Sequence, residues 1–107
     1  MDFNLESEIN IQNNIRIALS KYGYVHRNNV GNFYTNYGSR VQCGVPGESD
    51  LFFFGKDGTA AFIEVKNAKG KPTNQQIKFI NLMQSYGFRA GIARSVEDAL
   101  KIIGKEE

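Results

Sequence analysis

Asp50, Glu64 and Lys66 are the residues whose types and spacing carry chemistry in this chain. Glu64 and Lys66 are two apart, so in a strand they share one face while Ile63 and Val65 take the other. Asp50 opens an apolar, aromatic run that reads as the preceding strand, and Lys56-Asp57-Gly58 makes a hairpin turn between the two. The hairpin can bring the Asp50 carboxylate near Glu64, and two carboxylates at close quarters repel unless a cation sits between them. Their hard oxygens suit Mg²⁺ or Mn²⁺, which also bind substrate phosphate. Such an ion polarises a phosphodiester, and Lys66 can orient water or meet negative charge building on the phosphoryl oxygens. The same Glu-Val-Lys alternation also fits an ordinary half-exposed strand, but charges beside the Leu-Phe-Phe-Phe and Ala-Ala-Phe-Ile runs are costly unless they serve a purpose.

Two more polar residues fall on inward faces. Glu8 continues the stripe of Ile11 and Ile15 on a first helix, with Gln12 one turn beyond, so Glu8 is a candidate outer metal ligand. An acid in a first turn also favours the helix dipole, which serves equally well. Gln76 lies on the face of Phe79, Ile80 and Met83, where it can serve the site. It also completes a capping box with Thr73. One amide cannot fully fill both roles, and the site role is preferred.

No acidic residue lies between Glu64 and Glu97, while Lys66, Lys69, Lys71, Lys78, Arg89 and Arg94 all do. A one-sign stretch of this kind suits a phosphate backbone, although each lysine alone fits a solvated surface. Arg27 and Arg40 extend the patch, with Tyr34 and Tyr37 available to stack on unpaired bases.

These residues must be positioned by a single domain spanning 1–107, with 41% apolar residues and a net charge of +2. One Cys (Cys43) and one His (His26) exclude a disulfide framework and the usual zinc site. No stretch approaches the roughly 18 to 20 apolar residues of a membrane span, and the first ten residues resemble no secretory signal, so a cytoplasmic location is expected. Periodicity predicts a helix over 5–22, short strands over 24–29 and 40–43, the hairpin strands 50–54 and 60–66, and a helix from Thr73 to Gly87. A strand over 88–93 and a short helix opened by Ser95 complete the chain. Residues 28–38 read as turns, short strands or a mobile loop. The order α-β-β-β-β-α-β-α implies an α/β sandwich on a mixed central sheet flanked by helices.

The motifs Glu8-Ile-Asn-Ile-Gln12, Arg27/Asn29/Gly31, Gly44-Val-Pro-Gly-Glu-Ser-Asp50, Ile63-Glu64-Val-Lys66, Thr73/Gln76/Phe79 and Gly91-Ile-Ala-Arg-Ser95 with Glu97-Asp98-Ala99, in this order, resemble the VRR-NUC domains. These are a branch of the PD-(D/E)xK nuclease superfamily, here in the small stand-alone form of phages and bacteria. The resemblance runs from Glu8 to about Ile103, with Ser49 in place of the proline of the superfamily name. It implies the restriction-endonuclease-like sandwich and ligation of Mg²⁺ or Mn²⁺ by Asp50, Glu64 and the Val65 carbonyl, with Glu8 as a further ligand. Lys66 would be the third catalytic residue and Gln76 a support, while the charge pattern, independently of the resemblance, marks Lys69, Lys71, Lys78, Arg27 and Arg94 as DNA contacts. It further implies a homodimeric endonuclease cutting branched DNA in the manner of a Holliday-junction resolvase. A monomeric flap- or end-processing nuclease and a non-catalytic DNA-binding module of the same fold are the rivals.

Overall fold

The computed structural model describes residues 5–105. Helix α1 (Glu8–Leu19) is opened by Ser7, whose hydroxyl accepts from the Asn10 amide. It is shorter than the 5–22 stripe suggests, because the chain from Gly23 is drawn into the sheet. Strands β1 (Gly23–Arg27), β2 (Gly31–Tyr34), β3 (Arg40–Cys43), β4 (Leu51–Gly55) and β5 (Ala60–Val65) follow, then α2 (Asn74–Ser85), β6 (Arg89–Ala93) and α3 (Val96–Ile103). One strand, β2, is therefore added to the expected order.

The central sheet has the order β1-β4-β5-β6, with β5 and β6 parallel and the other pairs antiparallel. The mixed sheet flanked by helices agrees with the expected fold class. One face carries Leu51, Phe53, Ala61, Ile63, Val65 and Ala93 against Ile11, Ile15 and Leu19 of α1 and Ala99 and Ile103 of α3. The other face carries Phe52 and Phe62, which pack with Phe79 of α2 and with Phe88 in stacked and edge-on ring contacts. Period-two alternation along β5 thus feeds two separate apolar layers, and its even positions face α2. Each fully buried aliphatic side chain contributes roughly 1.5–3 kcal/mol through removal from water.

Strands β2 and β3 form a separate two-stranded ribbon outside this sheet. The strand expected over 40–43 is β3, whereas the Asn, Gly and Tyr content of residues 28–38 hides β2 from periodicity, since no apolar alternation marks it. Among the described residues, no helix is long and apolar enough to cross a membrane.

Candidate active site

Register places the two carboxylates. Leu51 pairs with Ile63, so continuing one residue sets Asp50 opposite Glu64. The Val65 amide donates to Asp50 Oδ2 over 2.9 Å, which pins the acid to the end of β5. The Asn28 amide donates to the Asp50 carbonyl, tying the same residue to the end of β1. The turn before it is held by Glu48, whose carboxylate accepts from the Val45 amide and the Asn28 side chain. Gly47 in that turn has φ +93°, and a Cβ there would fall 2.8 Å from the Gln75 carbonyl oxygen. The turn that delivers Asp50 therefore lies directly on the first turn of α2, which delivers Gln76.

Glu64 follows Phe62 on the α2 face and is 2% exposed. Its Oε1 accepts from Gln76 Nε2 over 3.2 Å, while its buried Oε2 has no donor among the described residues. Burial, the contact with the Asp50 carboxyl and that group's charge push Glu64 up to about 9, with Glu8 adding to the rise and Lys66 opposing it. As two ionised groups the pair would have only acceptors to offer each other. A proton or a cation must lie between them.

Gln76 resolves a competition that the sequence poses. Its Oε1 accepts from the Thr73 amide while Thr73 Oγ1 accepts from the Gln76 amide, which completes the capping box. Its Nε2 remains for Glu64. The two ends of one amide fill both roles, contrary to the expectation that one must yield.

Glu8 is the first residue of α1 and exposed. A Cβ placed on Gly70 would meet Glu8 Oε1 at 2.8 Å and Lys66 Cδ at 3.3 Å, so the Glu8 carboxylate and the Lys66 stem share one corner. Glu8, Gln12, Arg27, Asn28, Asn29 and Asp50 line a cavity of about 210 Å³. Gln12 is buried and its Oε1 has no donor among the described residues. The fully buried Ser49 hydroxyl is likewise unpartnered. The position of Gln12 one turn past Glu8 hints at its placement; nothing in the sequence marks Ser49.

The basic residues separate into two kinds. Arg27 lies on the cavity rim, and Lys71 and Lys78 are exposed near the start of α2 and on it. Lys69 is exposed in the loop after Lys66. Arg94, by contrast, donates to the carbonyls of Asn67 and Gly70. It fastens the loop that follows Lys66, a positional duty alongside any contact with phosphate.

Two carboxyl groups, a buried carboxylate oxygen without a donor and a nearby amide oxygen without one make an oxygen-only donor set. That set fits a hard divalent cation, which takes one or two carboxylates and leaves places for water and phosphate. Among the described residues, no three His, Cys, Asp or Glu side chains gather into a group that would hold an ion unaided.

The four-stranded mixed sheet, with α1 and α3 on one face and α2 on the other, makes an α/β sandwich. A solved structure described as a VRR_NUC domain superposes with a TM-score of 0.67 over 92% of this chain and 97% of its own, at 19% sequence identity. The chain thus has the VRR-NUC fold. No family profile and no curated protein matches it by sequence.

Proposed function

We propose that this chain is a Mg²⁺- or Mn²⁺-dependent endodeoxyribonuclease that acts on branched DNA as a homodimer. The observation that carries the reading is Glu64, a carboxylate buried at 2% exposure with one oxygen lacking a donor, facing Asp50 in a VRR-NUC fold. A structural role would be filled better by an apolar side chain, since an uncompensated buried charge is costly. The branched substrate and the dimer rest on the sequence resemblance.

Asp50, Glu64, the Val65 carbonyl and Glu8 would hold the ion. When bound, it supplies Lewis-acid stabilisation of charge at phosphorus and favours deprotonation of water. Asp50 is fixed by the Val65 amide and Glu64 by Gln76, so neither needs to reorganise when substrate arrives. Lys66 lies two residues beyond Glu64 on the same strand face and neutralises charge on the phosphoryl oxygens. Arg27, Lys69, Lys71, Lys78 and Arg94 supply phosphate contacts, and losing any one should flatten the salt dependence of binding.

Labelled four-way junction, flap and linear duplex DNA incubated in Mg²⁺ and in EDTA test the assignment. Paired symmetric nicks on the junction, absent in EDTA, are expected. Metal-dependent cutting confined to flaps or ends would remove the junction role, and binding without cutting of any DNA would remove the nuclease.

The split role of Gln76 gives a second expectation. Thr73→Ala removes the cap alone and should cost about 1 kcal/mol of stability with cleavage nearly unchanged. Gln76→Ala keeps the Thr73 hydroxyl on the backbone amide of residue 76 but loses the reciprocal half of the box and leaves Glu64 without its donor, so it should also lower activity roughly 10–100-fold. Equal activity in the two variants, measured at saturating Mg²⁺, would reduce Gln76 to a cap.

A further inference from the structure

The sequence between Glu8 and Glu48 holds no acidic residue, while Arg16, Lys21, Arg27 and Arg40 fall within it. The β2–β3 ribbon lies in this stretch. Its register sets Asn32 opposite Gln42 and Tyr34 opposite Arg40. Residues two apart on a strand share a face, so Asn32, Tyr34, Arg40 and Gln42 line one side of the ribbon. All four are exposed, Tyr34 at 71%. Beyond them the tip is closed by Thr35, whose hydroxyl accepts from the amides of Tyr37 and Ser39 and whose backbone pairs with Ser39. Tyr37 stands on this fastened turn at 97% exposure.

The ribbon springs from the wall of the site. Asn29 and Val30, just before β2, line the cavity that holds Glu8 and Asp50. Gly44, just after β3, approaches so closely that a Cβ there would meet the Asn29 carbonyl and Val30 at 3.0 Å. A guanidinium, two amides and two outward phenol rings, with no carboxylate to repel phosphate, match a nucleic-acid strand with unstacked bases. Fully paired duplex offers phosphates to Arg40 but no base faces to the rings.

We propose that the polar face of the β2–β3 ribbon, with Tyr37 at its tip, binds a single-stranded or splayed segment of DNA that leads away from the site. The inference rests on the nucleic-acid reading given above and adds to it the structural feature in the DNA that the chain selects.

Binding of the full-length protein in EDTA, where no cutting is needed, tests it. The probes are a forked DNA carrying 2-aminopurine at the fork and a blunt duplex of equal length. Wild-type protein should bind the fork more tightly and change the 2-aminopurine fluorescence. The double variant Tyr34→Ala/Tyr37→Ala should bind the fork about tenfold more weakly, with less than about twofold change on duplex and loss of the fluorescence change. The Tyr34→Phe/Tyr37→Phe variant should keep both, and Arg40→Ala should lower the salt slope by about 1. Equal melting temperatures establish that the variants fold.

Unchanged fork binding in the alanine pair overturns the proposal, as does an equal loss on fork and duplex. A shift from dimer to monomer in sedimentation, with fork fluorescence intact, also overturns it and gives the ribbon to a second copy of the chain. A protein that cuts no DNA yet shows the ribbon effect would sink the nuclease reading alone. One that cuts while the tyrosines prove neutral would sink this inference alone.

Discussion

Asp50→Ala is expected to lower metal-dependent cleavage by on the order of 10³-fold or more while leaving the fold and DNA affinity near wild type. Asp50 is half-buried, so its removal opens no core cavity. It accepts from the Val65 amide at the very end of β5, and truncation leaves that one donor without its acceptor. Stability should therefore change by about 1–2 kcal/mol, the cost of one lost charged hydrogen bond. Binding should hold or tighten, because a negative charge near phosphate is gone. Matched binding curves in EDTA beside single-turnover cleavage in Mg²⁺ separate these quantities. Cleavage within about tenfold of wild type, in protein free of contaminating nuclease, would sink the proposed chemistry. Cleavage lost together with cooperative melting would mean that Asp50 is only a fold residue.

The second large effect runs the other way in stability. Glu64 is held up at about 9 when no ion is present, against 4.5 for the free group. A raised acid stays protonated in the folded protein, whereas the unfolded chain ionises above about 4.5. The unfolded state then binds fewer protons, so metal-free stability is full below about 4.5 and falls as pH rises toward about 9. Glu64→Gln keeps the shape without the charge. In EDTA its melting temperature should match wild type near pH 5 and exceed it by several degrees near pH 8, each kcal/mol being worth about 4–8 °C in a domain of this size. Adding Mg²⁺ should reverse the order, since an ion that binds only the folded wild type raises its stability by mass action. A wild-type melting temperature that is flat or rising from pH 5 to pH 8.5 in EDTA would show that Glu64 is ionised comfortably without a metal.

Much of this site is legible in the sequence because it depends on hairpin register. Alternation assigns Ile63 and Val65 to one face and Glu64 to the other, and the Lys56-Asp57-Gly58 turn fixes how the strands return. Asp50 and Glu64 consequently fall opposite each other, as the spacing implies. Helix ends are read less well. Apolar periodicity runs over 5–22, whereas Ser7 caps α1 later and the demands of β1 end it earlier. Strand β3 is read at its observed bounds, 40–43, whereas β2 and its pairing with β3 stay unassigned because their pattern is polar against polar, and strand pairing outside a core leaves no hydrophobic trace. Gln12 and Ser49 illustrate another limit: their unpartnered buried atoms are properties of the packed interior, and residue type alone does not announce them. Residue type alone does not show that Gln76 can serve the cap and Glu64 together, because the carbonyl and amino ends of its amide point to different partners.

That divided amide also restricts which sequences can occupy the position. Glutamate at 76 would still accept from the Thr73 backbone, yet it would turn an acceptor toward Glu64, which needs a donor. Methionine would match the length and meet neither demand. Lysine would satisfy Glu64 as a donor and leave the Thr73 amide without its acceptor. Among side chains of this reach, only glutamine offers one acceptor and one donor on a single rigid plane. Substitution at 76 is thus nearly closed, although the residue touches neither the sheet's core nor, in the scheme proposed, the scissile bond. A position of that kind would change only together with Thr73 and Glu64, as a trio.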